Sequence, residues 1–320
     1  MKKNKIKNTG LEISEISFGT SGLGSMPDTY GYEVSENRAQ ETLKRFFKGP
    51  VNMLDTSRNY ALGESEKRIG RAIKANGGWP KKFLLSTKLD RNTETLQFDK
   101  YRARKSLEES LKALDVDSVD ILFLHDPEYA KDISEVTKKG GAMDELFKIK
   151  QEGLAKAVGL AMGKINIMFP LLKNWDFDVL ISHNRYTLLN READKMFDYA
   201  YGKNIAIFNA APYAGGVLAK GPSNFKKITY QDVTEEMLMP VREIEKVCKK
   251  HKVDMGAAAL QFSLRDKRIS STICGVTSVD SIEKNLAWAA AKISSEFWDE
   301  VLNLPFSSDD PEANRVWTPG

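Results

Sequence analysis

Cysteine and histidine are scarce in this chain of 320 residues, which contains two cysteines and three histidines. The cysteines, Cys248 and Cys274, lie in apolar helix or strand patterns, and no Cys-x-x-Cys spacing occurs. One disulfide between them is open, but we expect buried free thiols in a reducing compartment. The histidines are isolated, so that we predict no zinc or other metal site.

Long apolar segments are also absent. The longest runs, such as 121–124 and 257–260, are far shorter than the ~18 residues that a membrane-spanning helix needs. The first seven residues include four lysines, but no apolar stretch follows them, so the start of the chain does not resemble a signal peptide. We therefore expect a cytoplasmic protein with no membrane partner.

Neither sign of charge is in large excess. Lysine and arginine total 48 against 44 aspartate and glutamate, and the lysines are scattered. Because nucleic-acid binding requires a basic face, we predict no nucleic-acid partner. The apolar fraction of 41%, with 22 glycines, is sufficient for a sizeable core, and the length suits one large barrel or two ordinary domains.

Eight short apolar segments alternate with amphipathic stretches along the whole chain. Segments that are nearly all apolar are typical of parallel strands covered by helices on the outside. Eight strand–helix units without a Gly-, Pro- or Ser-rich linker predict a (β/α)8 TIM barrel, one α/β domain with a core over about 5–305 and a tail over 306–320. The predicted strands are 13–18, 51–54, 83–86, 119–124, 154–159, 177–181, 205–208 and 271–275. The predicted helices are 35–48, 64–74, 101–114, 143–152, 165–172, 192–201, 235–251 and 282–291.

A doubly wound sheet with a second domain is the alternative architecture. It would place a G-x-G-x-x-G loop directly after the first strand. Gly19, Gly22 and Gly24 occur in the different order G-x-x-G-x-G, and the next helical pattern begins only near Ser35. The barrel is therefore favoured, and residues 5–13 are predicted to form a β-hairpin that closes its bottom.

Ionisable side chains directly follow three consecutive predicted strands. These are Asp55, Lys88 and His125, and the carboxyl ends of barrel strands face the active site. An aspartate beside a lysine would hold the ammonium in place, and the ammonium would lower the pKa of a nearby phenol, for which Tyr60 is the candidate. Such a tyrosine opposite an imidazole can give or take a proton at a carbonyl or hydroxyl oxygen.

Three motifs resemble the aldo-keto reductase superfamily, over roughly residues 5–305. They are LDTSRNYALGESE at 54–66, STK at 86–88 and LFLHDP at 122–127. The resemblance implies that Tyr60 is the general acid/base, that Asp55 and Lys88 tune it, and that His125 orients the substrate oxygen. It also implies that a nicotinamide cofactor exchanges hydride with the substrate carbon.

A narrower resemblance rests on HNRYTLL at 183–189, HDPE at 125–128 and STKLDR at 86–91. These resemble a branch of D-threo-aldose (L-fucose) 1-dehydrogenases, L-galactose dehydrogenases and pyridoxal 4-dehydrogenases. The branch implies oxidation of a cyclic hemiacetal to a lactone, and we expect an aldose 1-dehydrogenase. Three alternatives are an NADPH-dependent aldehyde or ketone reductase, a pyridoxal dehydrogenase, and a cofactor-binding regulatory subunit with little turnover.

The cofactor residues implied by the resemblance depart from the family pattern. Ala161 and Met162 stand where Ser-Asn is common, and two alternatives are open for the carboxamide: Asn184 holds it, or different groups do. Family members that use NADP usually have a basic residue that pairs with its 2′-phosphate at the positions of Gly275, Thr277 or Ser281. None of these three residues is basic, so we predict NAD. NADP is possible if Lys284 reaches the 2′-phosphate. The expected cofactor contacts are Gly19, Thr20, Asn184, Ala214, Gly215, Val217, Leu218, Gly275, Val276, Thr277, Ser281, Lys284 and Asn285.

The last residues form a long polar tail that includes Trp317. Three arrangements are open: the tail folds over the substrate mouth, reaches a neighbouring subunit, or is disordered. Both a monomer and a homodimer are open as well. Residues 28–32 and 129–139 are expected to be loops on the functional face that determine the specificity for a small sugar or aldehyde substrate.

Overall fold

A closed barrel of eight parallel strands forms the centre of the protein, as the alternation of apolar segments predicts. The structure, a computed structural model, describes residues 1–223, 227–229 and 231–315. Strands β3 to β9 pair in chain order, and β12 closes the ring between β9 and β3. The strands are β1 (Lys3–Ile6), β2 (Leu11–Ser14), β3 (Ile16–Gly19), β4 (Met53–Asp55), β5 (Leu84–Leu89), β6 (Val119–His125), β7 (Ala155–Met162), β8 (Val179–His183), β9 (Ala206–Ala210), β10 (Lys227–Ile228), β11 (Gln231–Asp232) and β12 (Ile269–Gly275).

Helices surround the barrel, and polar side chains fix where several of them begin. Ser35 accepts a hydrogen bond from Arg38 N, and Asp99 accepts one from Arg102 N. None of the helices in the described ranges combines the length and the apolar character that crossing a bilayer requires. The helices are α1 (Pro27–Tyr30), α2 (Glu36–Phe46), α3 (Glu64–Ala75), α4 (Lys100–Leu114), α5 (Ile133–Thr137), α6 (Ala142–Gln151), α7 (Ile165–Asn174), α8 (Asp194–Gly202), α9 (Val217–Lys220), α10 (Glu235–His251), α11 (Met255–Leu264), α12 (Val279–Ala290) and α13 (Ser295–Val301).

The seventh barrel helix is not the one that the periodicity predicts. Helix α10 has the predicted bounds, but it packs against α13 and α11. Helix α11 instead packs against β12 and α12. Residues 255–260 of α11 are all buried, so this helix lacks the alternation of apolar and polar faces by which an amphipathic helix is found.

The amino-terminal hairpin has the expected place. Strands β1 and β2 pair antiparallel, and Asn8 and Gly10 in the turn have φ of 64° and 73°, in the left-handed region. Ile6, Leu11 and Ile13 belong to one buried cluster with side chains of the barrel interior, among them the first residues of four strands, Met53, Leu84, Val179 and Ala206. The hairpin therefore closes the bottom. The predicted first strand, 13–18, is divided between β2 and β3 because the pairing partner changes at Glu15.

Both cysteines are buried free thiols, as expected. Burial raises the pKa of Cys248 and of Cys274 to about 12, which keeps both protonated at neutral pH.

Candidate active site

A buried ion pair joins the ends of two neighbouring strands. Asp55 ends β4 and Lys88 lies in β5, and Lys88 Nζ is 2.8 Å from Asp55 Oδ2. Nζ also donates to the carbonyl of Thr56 at 2.6 Å, and Ser86 Oγ donates to Asp55 Oδ1 at 2.6 Å. The pair is 1–3% exposed, so its attraction is little screened by water. The sequence predicts this ion pair, because Asp55 and Lys88 follow two consecutive predicted strands.

Tyr60 is held in a turn of unusual backbone geometry. It opens a 3-10 turn, Tyr60–Gly63, in which Ala61 and Leu62 have φ of 50° and 51°. Residues other than glycine rarely adopt such angles, and they persist where the surroundings impose them. Gly24 lies against this turn, because a Cβ at Gly24 would come within 2.5 Å of the Ala61 Cβ.

The ring of Tyr60 contacts both Lys88 and His125. Lys88 Nζ is 4.6 Å from the centroid of the Tyr60 ring. The Tyr60 and His125 rings meet edge to face, with 5.9 Å between centroids and an angle of 85° between planes. The structure therefore brings together the four side chains expected to carry the chemistry: Asp55, Tyr60, Lys88 and His125.

A further carboxylate, absent from the expected set, lies behind His125. His125 Nδ1 is 2.6 Å from Oδ1 of the buried Asp90, whose Oδ2 accepts hydrogen bonds from Ser57 Oγ at 2.6 Å and Asn59 N at 3.1 Å. Burial raises the pKa of Asp90, but the charge of His125 and the hydrogen bonds outweigh burial and leave it below its ordinary value. Burial lowers the pKa of His125, but the charges of Asp126 and Asp90 leave it above its ordinary value.

The sequence contains a signal for Asp90. Alternate residues of a strand point to the same side, and Asp90 follows Lys88 by two positions at the end of β5. The alternation places the carboxylate on the side of the barrel that carries the ammonium.

Asp126, the residue after β6, has an acceptor without a donor. Its backbone N donates to Ala161 O at 2.9 Å, which extends the strand pairing by one residue. Its Oδ1 is buried, has no hydrogen-bond partner among the described residues, and lies 3.8 Å from His125 Nε2.

A second carboxyl group, that of Glu128, lies two residues further along the chain. Glu128 Oε1 accepts from Gly163 N at 3.0 Å. Burial, aided by the charge of Asp126, raises the pKa of Glu128 to about 7.

Residues 15–304 match the model of the family described as the aldo/keto reductase family. The chain belongs to the aldo/keto reductase family. The resemblance carried by 54–66, 86–88 and 122–127 is thereby confirmed. This aldo/keto reductase is an oxidoreductase, and its family uses nicotinamide cofactors.

Three relatives of this aldo/keto reductase come from the expected branch. An L-galactose dehydrogenase of Arabidopsis thaliana is 30% identical over 317 residues, which cover 98% of this chain and 96% of that protein. A D-threo-aldose 1-dehydrogenase of Pseudomonas sp is 27% identical, covering 91% and 94%. A pyridoxal 4-dehydrogenase of Microbacterium luteolum is 24% identical, covering 92% and 95%.

Among solved structures, the holo form of an aldo-keto reductase from Bacillus halodurans has the same fold. Its TM-score is 0.79 at 20% sequence identity, covering 99% of this chain and all of that one.

Asn184, which follows β8, fits the carboxamide of a nicotinamide. Its Nδ2 donates to Glu312 Oε1 at 2.8 Å, whereas its Oδ1 is buried with no hydrogen-bond partner among the described residues. A carboxylate only accepts hydrogen bonds, so the amide turns its NH2 group toward Glu312 and its oxygen away. That oxygen is the acceptor that the NH2 group of a carboxamide requires.

The tail of this aldo/keto reductase brings Glu312 to Asn184. Glu312 is 3% exposed, and its Oε1 lies 2.9 Å from Arg185 Nη1 and 3.2 Å from His183 Nε2. Its Oε2 accepts from Arg315 Nη1 at 2.8 Å. Burial raises the pKa of Glu312, but the charges of His183 and the two arginines hold it well below its ordinary range. Of the three expected arrangements, residues 307–315 thus fold back over the carboxyl end of the barrel; Trp317 lies outside the described residues.

The loop after β12 is shaped by a helix cap. Ser278 Oγ accepts from Ser281 N at 3.1 Å, and Ser281 Oγ accepts from the N atoms of Ser278 and Thr277 at 3.0 and 3.1 Å. The Ser281 hydroxyl is therefore engaged within the turn. A Cβ at Gly275 would meet nothing within 4 Å, so the backbone there is open to a ligand.

The other expected residues of this loop differ in their surroundings. Val276 and Asn285 are 2–3% exposed, and Asn285 Oδ1 accepts from Tyr213 OH. Lys284 is turned to solvent, and its Nζ lies 3.0 Å from Asp280 Oδ2.

One basic residue at this loop was missed by the sequence analysis. Arg38 of α2 donates from Nε to the carbonyl of Thr277 at 2.7 Å. The two residues are 239 positions apart, and no motif links them.

The remaining expected cofactor residues are mostly buried. Ala214, Val217 and Leu218 are 0–2% exposed, so these residues offer almost no surface to a cofactor, and Gly215 has φ of 72° in the same turn. Gly19 ends β3. Thr20 Oγ1 donates to the carbonyl of Asp55 at 2.9 Å, which places this hydroxyl behind the ion pair.

Proposed function

We propose that this aldo/keto reductase is an NAD-dependent aldose 1-dehydrogenase, which oxidises the C1 hydroxyl of a cyclic sugar to a lactone. The observation that carries the proposal is the Oδ1 of Asp126, buried without a donor 3.8 Å from His125 Nε2. Leaving such an acceptor unsatisfied costs roughly 1–3 kcal/mol. A hydroxyl of a sugar supplies the missing donor, whereas the oxygen of a simple aldehyde or ketone does not.

Two of the relatives support a sugar as the substrate. The L-galactose and D-threo-aldose dehydrogenases are named for sugars, and the matches cover more than nine-tenths of each chain.

The chain's own residues supply binding and proton transfer. When bound, the oxidised nicotinamide accepts hydride from C1 of the sugar. Asn184 Oδ1 accepts a hydrogen bond from the carboxamide. Tyr60 Oη takes the proton of the C1 hydroxyl, because the ammonium of Lys88 beside its ring stabilises negative charge on the phenol oxygen. Asp55 holds that ammonium in place, and the His125 ring meets the Tyr60 ring edge to face.

The loop after β12 supports NAD over NADP. A 2′-phosphate needs a cationic partner to form charge-assisted hydrogen bonds. The Ser281 hydroxyl is engaged in the helix cap, Lys284 is paired with Asp280, and the Nε of Arg38 donates to a backbone carbonyl. Asp280 adds a negative charge in the first turn of α12, which disfavours a phosphate there.

The test is nicotinamide reduction followed by absorbance, with NAD⁺ and NADP⁺ in parallel against L-fucose, L-galactose, D-arabinose, L-xylose and pyridoxal. We expect turnover on a sugar with NAD⁺. Turnover only in the carbonyl-reducing direction, or only on pyridoxal, contradicts the proposal, as does tight cofactor binding with no turnover on any of these compounds.

The variant Tyr60→Phe tests the proton transfer itself. Loss of general acid/base catalysis typically costs roughly 10²–10⁴-fold in rate, so kcat should fall by that factor. The affinity for NADH, followed by fluorescence, should stay near that of the wild type. A variant that keeps more than about a tenth of the wild-type kcat is incompatible with this role of Tyr60.

A further inference from the structure

The carboxylate behind His125 determines where the neutral ring carries its proton. His125 Nδ1 is 2.6 Å from Asp90 Oδ1, and Asp90 is fully buried. An ionised carboxylate has no hydrogen to give, so Nδ1 must be the donor. The other tautomer would set a lone pair of Nδ1 against a lone pair of Oδ1 at this distance.

A neutral imidazole carries a single N–H. With that hydrogen on Nδ1, the Nε2 atom has a free lone pair and acts as an acceptor; only the cationic ring also donates from Nε2. We propose that Asp90 is a positioning residue for the reaction: it holds neutral His125 in the Nδ1–H form, so that Nε2 takes up the proton released from the substrate.

The charged and titratable neighbours of His125 come from three segments: the turn of Tyr60, the end of β5 and the residue after β6. Asp90 contacts Nδ1, Asp126 lies 3.8 Å from Nε2, Tyr60 meets the ring edge to face, and the charge of Lys88 acts on the ring. Burial and the charge of Lys88 oppose the cationic ring, the two carboxylates favour it, and the carboxylates prevail, so that the pKa of His125 lies above its ordinary value. Nε2 of the neutral ring can therefore accept a proton, and the resulting His125 cation is stabilised by Asp90.

The direction of the proton path rests on the proposed function. Tyr60 gives the proton of its hydroxyl to Nε2 of His125, which leaves a phenolate beside the ammonium of Lys88. The phenolate Oη takes the proton of the C1 hydroxyl, and the hydride of C1 would pass to the oxidised nicotinamide when that group is bound. The products are the lactone, the reduced nicotinamide and a His125 cation paired with Asp90. In the reverse direction, the same cation returns the proton.

The variant Asp90→Asn should reverse the tautomer. Asp90 Oδ2 accepts from Asn59 N at 3.1 Å, and a backbone N–H cannot become an acceptor. The new amide therefore places its oxygen toward Asn59 and its NH2 group toward Nδ1 of His125. The NH2 group donates to Nδ1, which leaves the ring hydrogen on Nε2 and removes the proton acceptor from the site.

Nitrogen NMR of the histidine rings tests this inference without substrate. The chain has three histidines, and comparison with His125→Gln assigns the signal of interest. At a pH where His125 is neutral, we expect the Nδ1–H form in the wild type and the Nε2–H form in Asp90→Asn. The matched control is Asp126→Asn, which also removes a carboxylate near the ring but should keep the Nδ1–H form. An Nε2–H form in the wild type, or an unchanged tautomer in Asp90→Asn, overturns the inference.

The pH profile provides a kinetic readout that a merely structural role would not move. In the wild type, kcat for oxidation should rise as pH rises through the pKa of His125, because Nε2 must be free. In Asp90→Asn this limb should disappear and kcat should fall by ~100-fold or more, since a wrong tautomer in a comparable carboxylate–histidine pair costs up to ~10⁴-fold. The KM for the sugar should change little. If Asp90→Asn keeps the pH dependence and the kcat of the wild type, the inference is contradicted. If the wild type turns over none of the sugars but the NMR result is as expected, only the proposed function is contradicted.

Discussion

The contact between Glu312 and the barrel should be measurable as stability. The change Glu312→Ala leaves Arg185, whose side chain is 1% exposed, without the carboxylate 2.9 Å from its Nη1. Breaking a buried ion pair costs roughly 3–5 kcal/mol. Because Asp310 still faces Arg185 Nη2 at 2.5 Å, we expect the lower end of that range, about 3 kcal/mol, in the free energy of unfolding.

The same change should weaken cofactor binding. Without Glu312, the NH2 group of Asn184 loses its acceptor at 2.8 Å, and the amide is no longer held with its oxygen free. One hydrogen bond is worth about 1 kcal/mol, so the affinity for NADH should fall about fivefold.

Urea denaturation and NADH fluorescence titration measure the two effects. The matched control is Asp310→Asn, which removes the charge of another partner of Arg185 in the same tail but keeps an oxygen for the hydrogen bond that Asp310 Oδ1 accepts from Glu312 N at 2.9 Å. This control should lose less stability, because the Asp310 side chain is 24% exposed, and it should bind NADH like the wild type. Equal unfolding free energies for the two variants, together with unchanged NADH affinity in Glu312→Ala, would refute the reasoning.

The stabilisation by Glu312 should also depend on pH. Its pKa is depressed in the folded state, so its contribution is fully present above the ordinary glutamate value of about 4.3 and is lost as pH falls below it. The difference in unfolding free energy between the wild type and Glu312→Ala should therefore shrink in acid. A difference that stays constant from pH 7 to pH 3 would show that charge is not its source.

Three further changes have defined outcomes. Lys88→Met leaves Asp55 as a lone buried charge and should lower the free energy of unfolding in urea by roughly 3–5 kcal/mol; the double variant with Asp55→Asn should regain most of that stability and none of the turnover. Arg38→Ala should leave the ratio of kcat/KM for NAD⁺ over NADP⁺ unchanged; a selective loss of NADP⁺ activity would show that Arg38 holds a 2′-phosphate. Burial raises the pKa of Glu66 to about 7, so the wild type should lose about 3 kcal/mol of unfolding free energy as pH rises from 4.5 to 8. Urea denaturation of Glu66→Gln should show a much smaller loss over that range.

The barrel could be predicted from the sequence because its strands are buried on both faces. A buried parallel strand must be apolar at nearly every position, and the predicted segments differ from the observed strand bounds by at most three residues. The helix prediction was wrong where burial removes the alternation of apolar and polar residues. Helix α11 has apolar residues on nearly every face, so no periodicity marked it, and the amphipathic α10 was placed in the barrel instead.

The position of Asp55, Lys88 and His125 also followed from the sequence. Each lies at the carboxyl end of an apolar segment, and all such ends meet at one rim of a parallel barrel. Asp90 was within reach of the same reasoning, because it is two residues beyond Lys88 in an alternating strand pattern.

Only the tertiary structure decided which groups complete the site. Glu312 meets Asn184 across 128 residues, and Arg38 meets Thr277 across 239. Periodicity and strand-end patterns describe the chain locally, and they contain nothing about how a tail or an outer helix packs against a distant loop. The barrel and its four central side chains were therefore determined by local pattern, whereas the partners of Asn184 and Thr277 were determined by packing.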